Sequence, residues 1–316
     1  MSLIYHYCSL DTFVKIVKNK TIRLSDIDKT NDYMEKRWGL QLLKDSLTTE
    51  LNNHGISMNL TEDYWYSENA RNHIEQLNND INSYLSHQSL IACFSLEKDL
   101  LSQWRAYAQD GEGISIGFDY NCLKRLLKGQ RNILIGKVIY DQKKQEEMIR
   151  NKMYVPALEY MRNMFEEDIF GCSNDFDTFF TNEFDCFSEV LDIPTEQVFT
   201  FLKNAAFSEE KEIRVVYNTG IYKEIDTADL KEKLIKTILI GKNKELIINP
   251  IQHQVKNNKL VAYADMEFKN CVADGIVQEI MIGPKSKASK EDVRQLLLVN
   301  GFEDNILIDK SKVSYR

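Results

Sequence analysis

Phe207-Ser208-Glu209-Glu210-Lys211-Glu212-Ile213-Arg214-Val215-Val216 is the stretch from which the rest of the chain can be read. Its second half has the chemistry of a β-strand. Period-two alternation places Ile213, Val215 and Tyr217 on one face and Glu210, Glu212 and Arg214 on the other. Charges two residues apart on such a strand stand about 7 Å from one another. A carboxylate beside a fixed guanidinium stays ionised. In a cleft, an ionised carboxylate can hold a sugar hydroxyl and stabilise a developing positive charge. The same alternation also describes a half-exposed strand that turns a charged face to water.

Outward from this segment, strands and helices alternate without the regular β-α-β repeat of a doubly wound parallel sheet. Strands are expected at 2–9, 21–25, 89–95, 113–119, 134–140, 212–217, 262–268, 277–282 and 306–309. Helices are expected to open at Leu10, then over 34–51, 70–85, 100–108, 120–127 and 290–300. From Lys143 to about Leu202 strand signals vanish and Met, Phe, Asp and Glu dominate. The expectation is one α+β domain over 1–316 with a mixed or split sheet, both chain ends in that sheet, and helical insertions at about 34–88 and 143–202.

The 316 residues are 43% hydrophobic and 28% charged, with only 4 prolines and 13 glycines, which fits a globular chain without long disordered linkers. The net charge of −8 and the lack of a Lys/Arg-rich run leave no electrostatic footprint for stable nucleic-acid or acidic-membrane binding. None of the six cysteines forms a Cys-x-x-Cys pair or takes a zinc-finger spacing with histidine. They read as free thiols of a reducing compartment. Met1–His6 lacks a signal-peptide pattern, and no run approaches the roughly 20 apolar residues of a membrane helix. The expectation is a cytoplasmic protein that does not span a membrane.

Several motifs carry both a structural and a chemical reading. His6, in Tyr5-His6-Tyr7-Cys8, shares a strand face with Ile4 and Cys8. It is either a hydrogen-bonded strand histidine or a neutral imidazole that donates to a ribose hydroxyl. Asp32 and Glu35 fit a helix capping box. They are also the acids that a metal-dependent hydrolase would use. Ser95 ends a strand before the helix that carries Trp104 and Tyr107. These two aromatics are three residues apart and share a helical face, either as core or as the wall of a pocket for a planar ligand. Gly111, Gly113 and Gly117 miss the dinucleotide fingerprint in spacing and precede a strand, so they read as a turn and a tightly packed strand. Gly283-Pro284-Lys285 likewise reads as a turn.

The order and spacing of the Tyr-His-Tyr strand, "TIRLS", "NDYME", "CFS", "WRAYAQDGEGISIGFD" and "FSEEKEIRVV" resemble the bacterial and phage-associated family known as domain of unknown function 2971. The match is weakest over 41–88 and 143–200. That family in turn resembles the ADP-ribosyltransferase fold at a distance. The resemblance implies an NAD-dependent ADP-ribosyltransferase or NAD glycohydrolase, with a role in phage defence or as a toxin. It places His6 at the NAD-binding histidine, Ser95 on the serine-bearing strand, Glu210 and Glu212 in the Glu-x-Glu element, and Glu212 as the catalytic acid. Tyr33, Trp104 and Tyr107 compete for the aromatic that stacks on nicotinamide, and Arg214 holds the acids ionised. Cys8 stands where that fold has Thr or Ser. No metal is implied. NAD enters as substrate, and the acceptor is left open. The rival reading is a non-catalytic ligand-sensing or interaction module in which Glu210, Glu212 and Arg214 form a structural ion-pair strand.

Overall fold

Strand β1 (Leu3–Cys8) is apolar on both sides, which suits an interior strand: Ile4 and Cys8 are buried on one face, Tyr5 and Tyr7 on the other. Ser9 caps α1 (Leu10–Asn19) by accepting from the Thr12 N–H. Lys20 ends the helix in the left-handed conformation at φ 55°. β2 (Thr21–Asp26) follows.

The protein is described here as a computed structural model covering residues 3–29, 87–130, 132–167, 198–222, 247–256 and 258–315, with 37–39, 41–43, 45, 46, 49, 176, 179 and 180. Asp32, Tyr33, Glu35, the helix expected at 70–85 and most of the 34–88 insertion lie outside the described residues.

The remaining elements are β3 (His87–Ser95), α2 (Leu101–Tyr107), β4 (Ile114–Asp119), α3 (Tyr120–Leu127), β5 (Ile133–Lys137), α4 (Gln142–Ile149) and α5 (Val155–Glu166). A π-helical turn, Arg150–Tyr154, joins α4 to α5. Then come β6 (Glu212–Tyr222), β7 (Gln252–Lys256), β8 (Lys259–Glu267), β9 (Val277–Ile282), α6 (Lys290–Val299) and β10 (Leu307–Lys310).

These strands form one branched ten-stranded sheet in the order β10-β9-β4-β1-β3-β2-β8-β7, with β6 paired to β3 and β5 paired to β6. Among the described strands only β10 and β9 pair in parallel, so the sheet is mixed and the fold is α+β. β1 and β10, from opposite ends of the chain, share it, as the sequence implies.

β3 is where the sheet divides. On one edge it pairs with β6 from His87↔Tyr222 to Ser95↔Glu212. On the other edge it meets β1 at Tyr5↔Ser95 and β2 at Leu90 and Ile91. Two wings of the sheet therefore diverge from β3 over residues 92–94. The main core, including Phe13, Leu24, Phe94, Phe118, Ile213 and Phe268, packs around this fork.

A second hydrophobic cluster is made almost wholly by the 143–202 region, with Ile149, Tyr154, Met161, Phe199 and Leu202, joined by Leu42 and Leu43. It is tied to the sheet through Ile139, which exchanges backbone hydrogen bonds with Phe201 and Lys203.

Two expectations are corrected, and one strand was not expected. The strand read at 134–140 ends at Lys137, and Ile139 makes an isolated bridge to Leu202 instead. β7 carries no strand signal because its side chains are polar and mostly exposed; backbone pairing to β8 makes it a strand. Glu210 is not on β6. A 3₁₀ helix spans Ala205–Glu210, and Lys211 at φ 45° turns the chain into the strand. The glycine turn is as expected: Gly111 has φ 90°, and a Cβ on Gly113 would collide with the Cys8 carbonyl oxygen.

Candidate active site at the sheet fork

Beyond Tyr5↔Ser95, β1 and β3 part, and His6 stands in the opening. Its Nδ1 lies 3.0 Å from the Cys93 carbonyl oxygen, and its ring centroid is 5.6 Å from that of Phe94. A carbonyl can only accept, so Nδ1 carries the proton. Burial pushes the imidazole below its usual value, against the opposing pull of the Cys93 carbonyl, so the ring is neutral at pH 7. Nε2 is then an acceptor. This corrects the sequence reading in one respect: with its N–H spent on Cys93, His6 can accept from a sugar hydroxyl but not donate to it.

Glu212 opens β6 and shares a sheet face with its cross-strand partner Ser95. The face it shares with Arg214 is not a solvent face. Glu212 is 5% exposed and Arg214 is fully buried, because the 198–203 segment covers them. Arg214 grips Glu212 through both oxygens, Nε to Oε1 at 2.8 Å and Nη2 to Oε2 at 3.0 Å. Its Nη1 donates to the Thr200 carbonyl oxygen at 2.8 Å. Lys203, also buried, donates to Glu212 Oε2 at 3.2 Å and to Glu210 Oε2 at 2.6 Å. Burial by itself would raise the Glu212 carboxyl. The Arg214 charge and hydrogen bond, then Lys203 and the Cys93 thiol, outweigh it and hold the group down at about 2. The expectation that Arg214 holds both acids is thus corrected: it holds Glu212, and Lys203 links Glu212 to Glu210.

Tyr107 completes the wall. It is 39% exposed, and its hydroxyl donates to Glu210 Oε1 at 3.1 Å. Burial, then the Glu210 charge, raises its phenol. Gln103, one turn earlier on α2, is 7% exposed and has no hydrogen-bond partner among the described residues. His6, Cys93, Gln103, Tyr107, Glu210 and Glu212 all line one cavity of about 70 Å³. Ligand pockets usually run to roughly 300–1,000 Å³, so this space has room for no more than one end of a ligand of that size. A larger cavity of about 300 Å³ lies beside β5 among Leu134, Met148, Val198 and Phe201; no acid lines it.

The other sequence-derived candidates are placed elsewhere. Ser95 is buried; its hydroxyl donates to the Glu210 carbonyl oxygen at 2.8 Å and accepts from the Glu97 N–H at 3.1 Å. It shapes the turn that carries Glu210 and does not line the cavity. Trp104 is fully buried, edge-on to Tyr7, with its indole N–H on Asp99 at 2.8 Å. It is core, which leaves Tyr107 as the cavity aromatic of α2. Tyr33 lies outside the described residues. The sequence reading missed Lys203, Gln103 and Cys93. Lys203 follows an apolar run and has no periodic signal of its own. Gln103 sits beside Trp104 in the motif already singled out, and a polar residue on the face that α2 turns to the sheet was the available clue.

Among the described residues no helix is long and apolar enough to cross a membrane. No curated protein and no solved structure matches the chain. Residues 103–215, which carry Gln103, Tyr107, Lys203, Glu210, Glu212 and Arg214 but not His6, match the model of the family described as Protein of unknown function (DUF2971), the family that the sequence motifs resemble.

Proposed function

We propose that the cavity at the fork takes the ribosyl-nicotinamide end of an NAD-like dinucleotide, and that the protein acts on its glycosidic bond as an ADP-ribosyltransferase or NAD glycohydrolase. One observation carries the reading: His6 and Glu212, remote in sequence, line a single cavity together with Tyr107 and the unpartnered amide of Gln103. Cleavage of such a bond develops positive charge on the sugar. Glu212, ionised throughout the neutral range, would face that charge and accept from a ribose hydroxyl. The hydroxyl would take over the Lys203 contact, at 3.2 Å the longest of the Glu212 ion-pair contacts. His6 Nε2 would accept from a second hydroxyl. Glu210, nearer the rim, would orient or deprotonate the acceptor. The Gln103 amide suits the carboxamide of nicotinamide, giving one hydrogen bond and taking one.

A second reading is a non-catalytic ligand sensor. It is favoured by the charge balance of the network: Lys203 and Arg214 already neutralise Glu210 and Glu212, which blunts the field available to a cationic transition state. Glu212→Gln does not separate the two readings. It strands the buried Arg214 charge and costs stability in either case.

The separating experiment is calorimetric titration with NAD, with mass spectrometry for free nicotinamide, on the wild type and on His6→Asn. That variant keeps a donor for the Cys93 carbonyl and loses Nε2. Binding with nicotinamide release, both lost in His6→Asn, supports the enzyme. Binding without release supports the sensor. Absence of binding removes the dinucleotide from both.

A further inference from the structure

Outside the fork cavity, where α3 meets the β8–β9 connection, three metal-ligating side chains converge. Cys122 lies in the first turn of α3, buried, with its N–H on the Asp119 cap at 2.6 Å. Cys271 ends a 3₁₀ turn, Lys269–Cys271, and is partly buried. The chain then folds back sharply. The Gly275 N–H returns to the Val272 carbonyl oxygen at 3.1 Å, and the Ile276 N–H to the Cys271 carbonyl oxygen at 3.2 Å; Gly275 has φ 71°. This tight Cys-x-x-Asp turn brings the exposed Asp274 alongside Cys271. The two Sγ atoms and a carboxylate oxygen of Asp274 all lie within 4.8 Å of one another.

We propose that Cys122, Cys271 and Asp274 form a binding site for a thiophilic divalent cation, zinc by the chemistry of its donors, that clamps α3 to the turn before β9. Zinc–sulfur bonds of about 2.3 Å and zinc–oxygen bonds of about 2.0–2.2 Å in a tetrahedron set the donors roughly 3.5–3.8 Å apart. The donors, all within 4.8 Å of one another, must close by up to about 1 Å to reach that spacing. Two sulfurs and one carboxylate favour zinc over calcium or magnesium, which take oxygen donors. The fourth position is left to water. On binding, each thiol gives its proton to solvent and the sulfur's electron pair goes to the metal. Two thiolates and a carboxylate then carry one negative charge more than the ion offsets. Sequence spacing hides the site, because Cys122 comes from a distant helix.

The test uses the full chain, reduced and freed of metal, titrated with Cd²⁺ while the sulfur-to-metal charge-transfer absorption is followed, and with Zn²⁺ against a chromophoric chelator. One equivalent should bind with a two-thiolate band. Cys271→Ser should halve that band and weaken zinc more than about tenfold. Asp274→Asn, an exposed change that leaves the fold intact, should keep the band and still weaken zinc by about tenfold. Zinc should raise the melting temperature of the wild type and not that of Cys271→Ser. A full band in Cys271→Ser would assign the metal to other cysteines and overturn the proposal. So would the lack of a band at one equivalent, or a Cys122–Cys271 disulfide found by mass spectrometry of unreduced protein.

Discussion

Two carboxylates of the same sheet are buried to nearly the same degree and are held in opposite ways. Glu279 on β9 is 4% exposed; it accepts from the Tyr5 hydroxyl at 2.8 Å and from Lys98 at 2.9 Å. Lys98 keeps about half its side chain in water (48% exposed), so only the carboxylate of that pair has left water. Glu212 on β6 is held by Arg214 and Lys203, whose side chains are 0% and 5% exposed. Here all three charges have left water, and desolvation must be met by geometry alone. The first arrangement is a clamp at the sheet margin. The second is a preorganised charged cluster beside a cavity, and breaking it exposes the full cost of an unpaired buried charge.

That contrast is open to direct attack. The largest effect is expected from Arg214→Met, which leaves Glu212 buried with Lys203 alone. Removing one member of a buried pair costs about 3–5 kcal/mol, so the urea midpoint should fall steeply. Next comes acid. The folded Glu212 carboxyl titrates at about 2 against a usual value of 4.5. Between those values the unfolded chain binds the proton and the folded one does not, so stability is complete above pH 4.5 and lost as pH falls toward 2. The whole loss is on the order of 3 kcal/mol, of which about 2 kcal/mol falls between pH 7 and pH 3, readable as urea midpoints at those two values. Equal midpoints would refute the buried ion pair.

Smaller changes sharpen the comparison. Glu279→Gln keeps an acceptor for Tyr5 and gives up a water-facing ion pair, so about 1 kcal/mol is expected. A loss matching that of Arg214→Met would show that the two carboxylates are equivalent after all. The smallest effect on folding belongs to Gln103→Leu, which replaces a cavity-lining amide, without a hydrogen bond to the described residues, by a hydrocarbon of similar size. Stability should stay within about 0.5 kcal/mol or rise, while calorimetry should show weaker binding of whatever ligand enters the cavity. A clear loss of stability would mean that the amide serves the fold.

How much of this was legible beforehand differs from element to element. α3 and β9 have the bounds that their periodicity and caps imply, because Asp119 and the Gly283 turn punctuate the chain locally. β7 was illegible: nothing in a run of exposed polar side chains marks a strand when the pairing partner alone creates it. The two aromatics of α2 looked alike in sequence and differ in fact. Trp104 faces Tyr7 and Asp99 from the core, and Tyr107 faces Glu210 from the cavity. A helical repeat reports which residues share a side, not what covers each of them.

Alternation along Glu212–Tyr217 by itself determined that two charges share one face of a strand, since period two is a property of extended backbone. Whether that face met water, a ligand or another part of the chain was decided only when 198–203 folded over it and supplied Lys203 and the Thr200 carbonyl. Local geometry follows from covalent structure and is written in neighbouring residues. Burial and charge pairing depend on segments brought together from a distance, and one sequence carries no direct record of those meetings.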